Sequence, residues 1–228
     1  MNDHIAENAS APRPPRGAAR CAEAALALAG VAWAAQAVWQ IRLAAAGEPA
    51  SGPPDQGNGN HRTPTSLEDA YHIVSAVGDI VTGLCALVFL LWLVRARDNA
   101  RALSGERPRY SWPWVYLGWI VPVANLWVPR GIVADVHRAS APGAPLPRAL
   151  NWWWGLWLAG MFSGAGLMYA DSTDEVIARA YTDIWQLLLS DTAVVAAAVA
   201  GVLVVRAVTV AQTGRTADAV RHDTAPEA

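Results

Sequence analysis

A chain of 228 residues with 17 basic and 19 acidic side chains has a formal net charge of −2, which leaves no broad basic field for nucleic acid. Charged residues make up 16% of the chain and hydrophobic ones 54%, against roughly 25% charged in an ordinary soluble domain. The apolar residues come in long blocks rather than narrow stripes, which argues against a water-soluble domain and for an integral membrane protein. All the basic residues are arginine. With abundant Ala, Gly and Pro, this points to the coding bias of a high-GC bacterial genome.

Residues 1–20 are polar and rich in Pro and Arg, and they read as a disordered arm. The first apolar block runs from about Cys21 to Leu43. It is long enough to cross a hydrocarbon core of roughly 30 Å as a helix rising about 1.5 Å per residue. A competing reading is a cleaved signal peptide, with Arg13, Arg16 and Arg20 as its basic region and Ala44-Ala45-Ala46 at the cleavage site. The block is long for that role, and Gln36, Gln40 and Arg42 sit awkwardly in it.

A Gly/Pro/Asn-rich loop fills 47–69, and a second apolar block spans about 71–94. An Arg-rich linker follows. Residues 112–128 are apolar but interrupted by Pro113 and Pro122, and they contain Asn125. An amphipathic helix is predicted over about 131–140, where Ile132, Val133 and Val136 alternate with Asp135, His137 and Arg138. Further apolar blocks occupy about 150–169 and 184–205, joined by an acidic connector. The membrane domain is read as 21–212. The chain is expected to fray from Arg206, with 213–228 a disordered tail.

Cytoplasmic loops carry the excess of Lys and Arg. The linker holds Arg95, Arg97, Arg101, Arg107 and Arg109, and the N-terminal arm holds three arginines, so both belong inside. The 47–69 loop has one Arg against four carboxylates, and the connector has Arg179 against Asp171, Asp174, Glu175 and Asp183, so both belong outside. The 129–148 loop, with Arg130, Arg138 and Arg148 against Asp135, prefers the inside. Both flanks of 112–128 therefore want the cytoplasm. The expected fold is all-α, with four transmembrane helices and both termini cytoplasmic. Residues 112–128 then form a Pro-interrupted re-entrant or interfacial segment, packed within the bundle because lipid cannot satisfy freed backbone groups. The alternative is five spans. Of the 12 tryptophans, eight lie between Trp112 and Trp157. Trp152, Trp153 and Trp154 are expected to anchor at the headgroup level.

The stretches WLVRARDNA (92–100), GWIVPVANLWVPRGIVADVHRAS (118–140) and LNWWWGLW (150–157) resemble the bacterial membrane-protein family called domain of unknown function 4328. The resemblance rests on Gly118-Trp119, Pro122, Asn125-Leu126, Pro129 and the Trp triplet, and it extends over about 65–212. It implies a multi-span inner-membrane protein and no particular activity. Arg130 stands where members often carry an aromatic residue, so no ligand role is carried over to it.

The sequence contains no HExxH, GxSxG, P-loop or Rossmann fingerprint. Cys21 and Cys85 form no metal or redox motif and are expected to be small buried residues. Asp79 and Asp191 lie at matching depths, roughly 12 Å below the outer boundary by helical rise. An intramembrane carboxylate needs partners. The two could therefore share a proton- or cation-binding site with Ser75, Thr82, Ser190 and Thr192, reached through His72. The plainer reading is that each Asp is hydrogen-bonded by its own neighbours. Asn125 is expected to satisfy backbone groups freed by Pro122 and Pro129. Arg95 and Arg97 are expected to meet lipid phosphates, and Asn99 to tie the linker to the 112–128 segment. Gly160 with Gly164, and Ala197 with Gly201, are small-residue pairs for close helix packing.

The expected function is non-enzymatic and without cofactor: a protein that organises or supports other envelope components. Its partners would be the lipid bilayer and a membrane-protein partner or second copy. The alternative is a small proton- or cation-coupled transporter or channel using Asp79 and Asp191.

Overall fold

The computed structural model describes residues 16–56, 60–163 and 172–223. Among them are seven α-helices: α1 Arg16–Ala46, α2 Ser66–Ser104, α3 Trp114–Ile120, α4 Val128–Ser140, α5 Arg148–Phe162, α6 Thr173–Thr182 and α7 Ile184–Asp223. A 3₁₀ turn at Ala124–Leu126 lies between α3 and α4. The protein is all-α, and α1, α2 and α7 are long and apolar enough to cross a membrane. The predicted span at about 150–169 corresponds to α5, and the part of it at 164–169 lies outside the described residues.

Local chemistry sets the helix ends. Thr65 and Glu68 form a reciprocal cap at the start of α2: Thr65 N–H donates to Glu68 Oε2 at 2.7 Å, and Glu68 N–H donates to Thr65 Oγ1 at 3.4 Å. Gly47 and Gly105 follow α1 and α2 with φ of 76° and 69°, a region costly to residues with a Cβ. The acidic connector, read as a plain link, instead holds α6. A complete capping box between Ser172 and Glu175 starts that helix.

The chain divides into two compact units. One comprises Ala24–Leu87 and Asn151–Val202. A cluster of Leu43, Tyr71, Ile177, Ala180 and Leu187 lies in its core, with Trp39, Leu67, Val176 and Tyr181 packed against it. Thus α6 buries its apolar stripe on α1, α2 and the start of α7. Cys85 is buried in this unit, as expected.

The other unit comprises the chain up to Glu23, Val88–Leu150, and the chain from Leu203. Its core takes Trp92, Leu93 and Ala96 from α2, Val115 from α3, Ile132, Val133 and Val136 from α4, and Val204, Val205 and Val208 from α7. Gln212 Nε2 donates to Ala96 O at 2.7 Å and to Ser140 Oγ at 3.1 Å, tying α7 to α2 and α4. α7 continues past Arg206 to Asp223. Cys21 is exposed here, contrary to expectation. His137 is buried on α4, and burial, together with the nearby Arg138, lowers its pKa.

Residues 112–128 do not form one helix. α3 is seven residues long, about 10 Å at helical rise and short of the roughly 30 Å hydrocarbon core. Its last turn closes with Val121 N–H on Leu117 O at 2.9 Å, and Asn125 N–H then bonds Val121 O at 2.8 Å. Pro129 is tolerated because it sits in the first turn of α4, where an N–H has no helical acceptor. α4 begins at Val128, three residues before the predicted start. The segment is not hidden within a bundle: Trp112, Trp114, Ile120, Val123 and Trp127 are all exposed. Short helical turns satisfy much of its own backbone.

Candidate functional site

In the Ala24–Leu87 and Asn151–Val202 unit, polar side chains meet between apolar helices. Gln36 and Gln40 lie one turn apart on α1 and are both buried. Gln40 Nε2 donates to the Tyr71 hydroxyl at 3.1 Å, and the Gln40 side chain lies next to the Asp191 carboxylate. Asp191 is 1% exposed. Gln36 packs against Gly78, where an added Cβ would fall 2.2 Å from its Nε2.

The expected pairing of Asp79 with Asp191 is not formed. Asp79 is exposed on α2, beside the outward-facing Val77 and Ile80. Three of the other proposed members have their own partners. Ser190 Oγ donates to Gly160 O at 3.0 Å, Thr82 Oγ1 accepts from Trp33 Nε1 at 3.1 Å, and His72 Nε2 lies 2.9 Å from Asp174 Oδ1. Gln40 and Tyr71 thus stand beside Asp191 where Asp79 and His72 were expected. Sequence reasoning noticed Gln40 only as a residue out of place in a signal peptide.

A second polar node joins the loop before α2 to α6. Arg62 Nη1 and Nη2 donate to the two Glu68 oxygens at 2.8 and 2.6 Å, and the Tyr181 hydroxyl donates to Oε1 at 2.8 Å. The Glu68 side chain is 0% exposed. Burial, then the bond to Glu68, pushes the Tyr181 pKa up, and the Glu68 bond raises that of Arg62. Both remain protonated donors. The node went unread in the sequence, although Thr65-x-x-Glu68 and Ser172-x-x-Glu175 are visible capping signals.

The motif residues serve packing. An added Cβ on Gly118 would lie 2.7 Å from Val128 Cγ1, so this glycine lets α3 meet α4. Trp119 stacks edge-on with Phe89 at 5.9 Å. Pro122 falls in the break after α3, and Asn125 in the 3₁₀ turn. Arg95 is exposed at the end of α2, and Asn99, partly buried, lies one turn beyond it. Arg97 is buried rather than extended toward lipid: Nη2 donates to Tyr110 O at 2.6 Å, and the guanidinium lies over Trp112. The Trp triplet divides, with Trp152 exposed and Trp153 and Trp154 buried. Among the described residues, no group of three His, Cys, Asp or Glu side chains could hold a metal ion.

Three long apolar helices in an all-α fold define a multi-pass membrane protein. The chain belongs to the family described as Domain of unknown function (DUF4328), which matches residues 59–210. No curated protein and no solved structure matches it.

Proposed function

We propose that this chain is a non-enzymatic accessory protein of the bacterial cytoplasmic membrane, one that organises or supports other envelope components. In this reading it spans the bilayer four times, through α1, α2, α5 with the residues that follow it, and α7. Both termini lie in the cytoplasm, and the exposed aromatic residues of 112–127 rest at the cytoplasmic interface. The observation that carries this reading is the different setting of the two intramembrane carboxylates. A coupled transporter of the kind considered needs both at one site, whereas Asp191 is buried and Asp79 is exposed.

The test is ion flux in proteoliposomes under an imposed proton or sodium gradient. Wild type and Asp191→Asn should both leak no faster than empty vesicles. A second reading rests on Asp191 alone, because its buried Oδ2 has no hydrogen-bond partner among the described residues. Flux in the wild type that Asp191→Asn abolishes would replace the accessory reading with that one.

Sidedness is checked separately. Ala144 is exposed in the turn between α4 and α5. With Cys21→Ser and Cys85→Ala in place, Ala144→Cys should resist a membrane-impermeant thiol reagent in intact cells and react once the membrane is opened. Labelling of intact cells would end the four-span reading.

A further inference from the structure

The end of α2, the loop after it, the end of α4 and α7 line a half-open pocket of about 300 Å³. Five arginines line it: Arg97 and Arg101 from α2, Arg107 from the loop, Arg138 from α4 and Arg215 from α7. Two carboxylates, Glu106 and Asp135, face the same space. Two helix C-termini converge here, and their partial negative charge accounts for part of this arginine content. Arg215 donates to Ala139 O near the end of α4, and Arg97 holds Tyr110 O. Asp135 is itself engaged, accepting the Arg109 N–H at 3.0 Å. The side chains of Arg101, Arg107 and Arg138 make no hydrogen bond or ion pair among the described residues.

We propose that this cavity is a binding site for a phosphate-bearing anion. Three exposed guanidiniums from three separate elements line one half-open pocket with no protein acceptor for their side chains, and planar guanidinium forks match phosphate oxygens two at a time. Arg97 and Arg215 fix the loop and the end of α4, so the frame of the site is already set. The volume is at the small end of ligand sites, about 300–1,000 Å³. That suits a phosphate with a compact polar attachment. All five arginines lie in segments that the charge pattern assigns to the cytoplasm. The headgroup of an anionic lipid and a soluble phosphate ester share the required chemistry. The inference stands whether the protein organises partners or moves ions.

The experiment uses the full chain, purified in a neutral detergent and titrated separately with short-chain phosphatidylglycerol and with inorganic pyrophosphate. Saturable binding of at least one is expected. Arg101→Gln with Arg138→Gln should weaken it by about tenfold or more, as loss of charge-assisted hydrogen bonds implies. Arg107→Glu, in the loop, should do the same, and each variant is compared only while it keeps the wild-type melting temperature. Arg95→Gln, exposed and outside the lining, should leave binding unchanged. Binding of phosphatidylglycerol alone identifies a lipid headgroup site, and binding of pyrophosphate a site for soluble phosphates. No saturable binding of either probe, or binding that ignores all the cavity variants, overturns the proposal.

Discussion

Glu68→Ala is expected to lower the free energy of unfolding by about 3–5 kcal/mol, the range for breaking a buried ion pair from one side. The carboxylate accepts from both Arg62 terminal nitrogens, from the Thr65 N–H and from the Tyr181 hydroxyl. Its removal leaves a guanidinium only 12% exposed with no counter-ion, and it unlinks α6 from α2. Thermal unfolding of the detergent-solubilised protein reads the effect. The cost comes mainly from stranding a charge, so the double change Arg62→Met with Glu68→Leu should be milder than Glu68→Ala. Tyr181→Phe should cost only about 1 kcal/mol, as befits one hydrogen bond. A Glu68→Ala protein that melts with the wild type would show that the node does not hold α6 in place.

Gly160→Leu should destabilise at least as much as ordinary core overpacking, about 1–3 kcal/mol. A Cβ at Gly160 would fall 2.6 Å from Val194 Cγ2 and 3.6 Å from the Ser190 carbonyl oxygen. Val194 is β-branched and stiff, so it cannot swing aside cheaply. The larger side chain must therefore push α5 away from α7 and break the Ser190 bond to Gly160 O. The smaller change Gly160→Ala should be harmful alone and largely rescued by Val194→Ala, which clears the contact. A double-mutant cycle on melting temperature measures that coupling. Additive effects would mean that the close contact does not limit packing.

Hydropathy was enough to place three long helices, because runs of apolar residues longer than the hydrocarbon core admit few other structures. It also marked 112–128 as interrupted, through Pro122. It could not say which side of that segment faces outward. That depends on Gly118 meeting α4 and Trp119 meeting Phe89 of α2, tertiary facts without local periodicity. The depth argument placed Asp79 and Asp191 level with each other, yet equal depth does not fix rotation about the helix axis. Asp79 turned out beside Val77 and Ile80, whereas Asp191 turned inward to Gln40. Two signals were legible and missed. The T-x-x-E and S-x-x-E patterns at Thr65 and Ser172 announce the starts of α2 and α6, but an acidic connector reads as solvent-exposed unless its caps are checked first.

The bond between Arg62 and Glu68 also bears on how the chain enters the membrane. In the proposed orientation, Arg62 is the single arginine of the loop between α1 and α2 that must be carried outward during synthesis, against the tendency of arginine to stay inside. Its counter-ion follows only six residues later in the chain. The two can therefore meet as soon as that short stretch emerges, long before Tyr181 exists to complete the node. The loop's one retention signal is thus neutralised from within the loop's own hairpin, and translocation of the hairpin does not wait for the rest of the protein.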